Sequence, residues 1–136
     1  MDANLQILGL AKKAGLLAVG AEDTISAARA GKAAIIVSAG DASAGALKRA
    51  RKSAESYRTP HIVVPYSGFD LGNVSGRGSP GTIAILDKGL AARFMRGMAE
   101  TDPEHYAELA ALLTGEAREK AESRKNNQSG NRRTSI

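Results

Sequence analysis

The sequence predicts an α/β protein, a single-domain three-layer α/β/α sandwich around a small mixed sheet of about four strands. Segments with apolar residues at helical spacing alternate with short uninterrupted apolar runs, AAIIVS at 33–38, HIVV at 61–64 and TIAIL at 82–86. Such runs read as strands covered on both faces. The apolar complement is aliphatic, with 2 Phe, 3 Tyr and no Trp in 136 residues, so layers of Ala, Ile, Leu and Val must supply the core. The length fits one domain and leaves no room for a second, catalytic one.

Taken in order, Leu5, Leu8 and Ala11 with Ile7, Leu10 and Ala14 recur at helical spacing, so residues 3–14 read as a first helix ended by Gly15. Leu16 to Val19 is a short extended piece. Gly20 breaks the chain before a helix in AEDTISAARAGK, where Ile25 and Ala28 mark the buried stripe. Glu22 and Asp23 open that helix and Lys32 follows its end, matching the helix dipole. Ala33 to Ser38 is a strand. Ala42 to Tyr57 returns to helix, with Leu47, Ala50, Ala54 and Tyr57 on one side and Lys48, Arg49, Arg51 and Lys52 mostly on the other. His61 to Val64 is a second strand, ended by Pro65. YSGFDLGNVSGRGSPG predicts a helical turn and then an irregular loop, and Thr82 to Leu86 a third strong strand. Asp87 caps a helix through Met98, and Pro103 starts another in PEHYAELAALL.

Charge divides the chain unevenly. Residues 1–114 hold 13 basic and 11 acidic side chains, whereas residues 115–136 hold 6 and 3. The second segment has almost no large apolar residue, so we expect a folded domain over 1–114 and a basic tail over 115–136. Within the tail, Glu116 to Lys125 is expected as at most a frayed helix and Asn126 to Ile136 as disordered. It serves either as a solubilising end or as a loose phosphate-seeking arm built on Arg118, Lys120, Arg124, Lys125, Arg132 and Arg133. With no Cys, a disulfide framework and a thiolate metal site are excluded. Asp2 stands where a signal peptide would be cationic, and Lys12 and Lys13 interrupt the first apolar run well short of spanning length, so a cytoplasmic protein without a membrane partner is expected.

The candidate chemistry is sparse. Gly76-Arg77-Gly78-Ser79-Pro80-Gly81 spells the dinucleotide fingerprint but lacks its context, since a loop precedes it and a strand follows. Its glycines suit instead a loop whose amides approach a polyanion. His61 and His105 have no ligand-spaced partners, and no nucleophile-elbow pattern occurs, so we expect no catalytic residue, metal, cofactor or small-molecule substrate. Gly20-Ala21-Glu22-Asp23 is more informative. A glycine and a small residue at a helix start expose free N–H groups with a positive dipole behind them. Its two acids suit an ordinary dipole-matched helix start; they also accept from the N1–H and N2–H₂ donors of a guanine edge if cations hold the backbone. Lys12, Lys13, Arg29 and Lys32 are the candidate cations. The strip Lys48 to Lys52 reads as a wet helix face adding nonspecific attraction.

The stretches ILGLAKKAGLLAVGAEDTISAARAGKAAIIVSAGDAS and TPHIVVPYSGFDLGNVSGRGSPGTIAILDKGLAARFM resemble the ribosomal L-seven-Ae superfamily of kink-turn RNA-binding proteins, in particular its small bacterial YlxQ-like branch, over about residues 3–98. The resemblance implies an α/β/α sandwich that inserts the helix start Gly20 to Asp23 into a kink-turn. It also implies a second contact from Leu71, Gly72 and the loop Ser75, Gly76, Arg77, Gly78 and Ser79. Glu22 and Asp23 stand where archaeal members have Asn and Glu, Ser26 where a Lys stands, and Arg77-Gly78-Ser79 where an apolar triplet stands. Arg29, a turn beyond Ser26, is the candidate replacement cation. The resulting expectation is a non-enzymatic protein that binds structured RNA, kink-turn-like or ribosomal. The alternative is an adaptor on the same fold that recruits proteins through Phe69, Leu71 and the following loop.

Overall fold

A computed structural model describes residues 2–134, with side chains through Lys125. Six helices and four strands follow one another as α1 (Ala3–Lys13), β1 (Leu17–Val19), α2 (Ala21–Arg29), β2 (Ile35–Ser38), α3 (Ala44–Tyr57), β3 (His61–Val63), α4 (Gly68–Ser75), β4 (Thr82–Ile85), α5 (Lys88–Thr101) and α6 (Pro103–Thr134). The α/β architecture and four-stranded mixed sheet are those expected.

Local chemistry sets the boundaries. Asp2, Ser43 and Asp87 cap α1, α3 and α5 by accepting from Asn4 N (2.7 Å), Ala46 N (3.1 Å) and Leu90 N (2.8 Å). The Ser43 cap explains why α3 begins at Ala44 rather than Ala42. The predicted single turn in the YSGFDLGNVSGRG stretch is longer than expected. Ser67 and Asp70 form a reciprocal capping box, fully buried Leu71 anchors the segment, and the helix continues to Ser75.

The sheet order is β1-β4-β2-β3. β4 runs antiparallel to both neighbours, pairing Ile83 with Val19 and Val37, while β2 and β3 are parallel with Ile36 opposite His61. Alternation divides the core between two faces. Ile35, Val37, Ile83 and Ile85 join Ile7, Leu8, Phe94, Met95, Met98 and Leu113, burying one face under α1, α5 and α6. Ile36 faces Ala28, Ala50 and Ala54 of α2 and α3. On that side its register partner is Ala84, itself opposite Ala18, so small side chains let α2 lie close to the sheet.

This topology places the C-terminal ends of β1, β2 and β3 and the start of β4 along one edge. Gly20, Gly40-Asp41, Pro65 to Ser67 and the α4–β4 loop all lie there. The opposite edge carries the end of α1, the α2–β2 turn and the start of α5.

No break separates residues 1–114 from the C-terminal segment: α6 passes through Gly115, Ala117 packs against the core, and Arg118 to Lys125 are helical and exposed. Contrary to the expectation of at most a frayed helix and then disorder, the backbone of α6 is helical to Thr134; residues 135–136, and the side chains of Arg132 and Arg133 of the suggested arm, lie outside what is described. No helix among the described residues is long and apolar enough to cross a membrane.

Candidate functional site

Gly20 leaves β1 with its N–H bonded to the Thr82 carbonyl (2.9 Å), and its own carbonyl accepts the first bond of α2 from Thr24 N (3.0 Å). Its φ of 93° and ψ of 160° belong to glycine's range, so the chain turns into a helix within one residue. No side chain caps this end. Among the described residues, the N–H groups of Ala21, Glu22 and Asp23 therefore point outward without an internal acceptor. α2, unlike α1, α3 and α5, starts open.

A second element reaches this tip. The loop after α4 folds down on the helix because Gly68 and Gly72, one turn apart, present bare backbone to it. A Cβ on Gly72 would overlap the Gly78 carbonyl oxygen, and one on Gly68 would stand 2.7 Å from Ser79 Oγ. Seated there, the loop aims Arg77 at α2, where its Nη1 lies 3.3 Å from Asp23 Oδ2. The pair is exposed on both sides, 61% and 57%, so it orients the loop more than it stabilises the fold.

Beyond the tip, Glu22, Asp23, Ile25, Ser26 and Arg29 of α2 and Arg49 of α3 line an open hollow of about 460 Å³. Arg29 Nε donates to Tyr57 Oη (3.2 Å), which raises the already high guanidinium pKa and fixes the cation along the α2–α3 seam. Two carboxylates and three guanidiniums (Arg29, Arg49 and Arg77) thus share a surface with three unpaired amides. Such a surface offers acceptors for base-edge donors and cations for a phosphate backbone.

The structure assembles only part of the predicted set. Gly20, Ala21, Glu22, Asp23, Ser26, Arg29 and Arg77 lie at the start and along the hollow of α2, and Gly76, Gly78 and Ser79 are exposed in the loop that carries Arg77. Lys12, Lys13 and Lys32 do not join them. Lys12 and Lys13 end α1 and Lys32 follows α2, at the opposite sheet edge, because β1 carries the chain across the sheet before α2 turns back. Leu71, Gly72 and Ser75 are buried in α4, so they support the loop from below rather than present a contact. Arg49 and Tyr57 were hidden within an amphipathic helix. Their signal was their spacing around Ala50, Ser53 and Ala54, the buried face of α3.

Neither histidine belongs to this surface. His61 Nε2 lies 2.8 Å from the hydroxyl of fully buried Ser38; burial foremost, then Arg51, lowers its pKa below the ordinary range. His105 Nδ1 lies 2.8 Å from Asp102 Oδ2 at the α5–α6 junction, and that carboxylate raises its pKa. No group of three or more His, Asp or Glu side chains suited to a metal ion occurs among the described residues. The glycine-rich fingerprint sits between a helix and a strand, the reverse of the order that receives a dinucleotide.

No family model matches the chain, and no curated protein does. Among solved structures, it is similar to a protein of unknown function from Bacillus halodurans C at 26% identity and a TM-score of 0.65, covering 71% of this chain and 97% of that one. It is also similar to the 15.5kD RNA binding protein of Giardia lamblia at 14% identity and a TM-score of 0.53, covering 84% and 83%. At that identity, the second likeness establishes a common fold.

Proposed function

We propose that this chain is a non-enzymatic protein that binds structured RNA, kink-turn-like or ribosomal, through the start of α2 and the α4–β4 loop. The observation that carries the reading is the uncapped α2 tip, with the N–H groups of Ala21 to Asp23 open, Arg77 paired to Asp23 beside them, and Arg29 and Arg49 lining the hollow beyond. The fold likeness to an RNA-binding protein supports it. Amides and arginines hold the backbone, while Glu22 and Asp23 accept from an exposed guanine edge, as expected where sheared G·A pairs widen a groove.

Arg77→Ala should weaken binding to a kink-turn hairpin and to an unkinked duplex alike and reduce the salt slope by roughly 0.7–0.9 for each phosphate no longer neutralised. Glu22→Gln should instead change the ratio between the two RNAs. Gel-shift titrations at several salt concentrations measure both, and wild-type behaviour from both variants would assign RNA binding to another face. The adaptor reading keeps one supporting observation, Phe69, which is 65% exposed on the first turn of α4. Buried Leu71 takes no part in it. A protein partner that survives nuclease treatment of a lysate and is lost with Phe69→Ser would favour that reading.

A further inference from the structure

The edge opposite the α2 tip holds a second open hollow, of about 490 Å³, lined by Gly15, Leu16, Gly31, Lys32, Ala33, Ala34, Leu86, Lys88 and Lys120. Three lysines from three elements converge on it, and no acidic side chain lines it. None of the three has an ion-pair partner among the described residues, and residues 126–136 contain no Asp or Glu. Asp87 stands next to Lys88 in sequence, but its carboxylate is engaged as the α5 cap.

The three cations stand in different helix settings, and Lys120 has Glu116 one turn before it. Lys32 follows the C-terminus of α2, where positive charge is favourable. Lys88 is the first residue of α5, where the dipole disfavours a cation, directly after the capping carboxylate of Asp87. Lys120 lies well inside α6, away from either described end. The floor is aliphatic, from Leu16, Ala33, Ala34 and Leu86. The cations are ammonium groups throughout, point charges that take phosphate oxygens from any direction.

We infer that this lysine-lined hollow is a second binding site, for the phosphodiester backbone of the RNA. The inference rests on the RNA-binding reading above and extends it. α2 joins the two sites: its 9 residues span about 14 Å, with Ser26 and Arg29 exposed along the way and Lys32 just beyond. That length corresponds to a few nucleotides, about four at the roughly 3.4 Å per-strand spacing of B-form DNA. A strand that leaves the tip along the exposed side of α2 would reach the hollow within that length.

The test titrates the full chain with poly(U), which has a phosphate backbone and no kink, and follows backbone amides by NMR. Shifts at Gly31, Lys32, Leu86 and Lys88 are expected. They should vanish in Lys32→Gln/Lys88→Gln/Lys120→Gln, which should also take about two off the slope of log K against log salt for the single strand. Lys48→Gln/Arg51→Gln/Lys52→Gln removes equal charge from the exposed face of α3 and should leave those shifts in place. Shifts confined to Glu22, Asp23 and Arg29 would overturn the inference and leave the RNA reading intact; shifts confined to the hollow would support it, since poly(U) offers the α2 tip neither a kink nor a guanine edge. No shift at either place would overturn the inference, and the RNA reading then stands or falls on the kink-turn titration above. Equal shifts with poly-glutamate would make the hollow a site for an acidic protein and overturn the phosphodiester assignment.

Discussion

Gly72→Ala tests how the loop is held against α4. In an exposed helix this replacement stabilises by roughly 0.5–1 kcal/mol, because glycine has more backbone freedom to lose on folding. At position 72 the new methyl would overlap the Gly78 carbonyl oxygen and stand 3.3 Å from the Arg77 carbonyl oxygen. Both atoms are backbone, so relief requires moving the loop rather than rotating a side chain. Overpacking of this kind costs about 1–3 kcal/mol, leaving a net loss of roughly 0–2.5 kcal/mol after the helix gain. Gly9→Ala in α1 is the internal control, since a Cβ there meets nothing within 4 Å, and it should be stabilising. Urea unfolding of both variants, compared at equal m-value, gives the two signs. RNA binding by Gly72→Ala should weaken as well, because the displaced loop carries Arg77 away from Asp23. Equal stabilisation by the two substitutions would refute the seating of the loop on Gly72.

Gly20→Ala should destabilise by about 1–3 kcal/mol through its φ of 93° alone, since nothing lies within 4 Å of the added carbon; equilibrium unfolding checks this. Thr24 is fully buried and its hydroxyl has no hydrogen-bond partner among the described residues, so near-isosteric Thr24→Val should raise stability by about 1 kcal/mol in the same assay. The histidines should titrate on opposite sides of the ordinary value of 6.5 in an NMR pH series, His61 below it and His105 above. For His61 the unfolded chain binds the proton more readily, so its contribution is fully present above 6.5 and is lost as pH falls through the folded pKa. For His105 the contribution is present below 6.5 and is lost as pH rises through the folded pKa, and Asp102→Asn should return that pKa toward its ordinary value.

Much of the architecture was legible along the chain because its determinants are local. Runs such as IIVS and TIAI are buried along their whole length, and Gly20 and Asp87 mark helix starts whose chemistry acts within a few residues. The start of α2 as a candidate site was legible for the same reason. α4 was only half visible, because its length depends on burying Leu71 and on a loop that returns to cover Gly72.

The companions of the α2 tip were decided by long-range pairing. Lys12 and Lys13 are close to Gly20 in sequence, yet β1 carries the chain across the sheet and leaves them at the other edge. Arg77, 54 residues from Asp23, lies 3.3 Å from it because β4 pairs beside β1 and two glycines let the preceding loop lie flat. Helix starts and buried strands express backbone and side-chain preferences over one or two turns, so they can be read from neighbouring residues alone. Which charges gather around an open helix end depends on strand order and crossing direction, and the folded sheet alone supplies those.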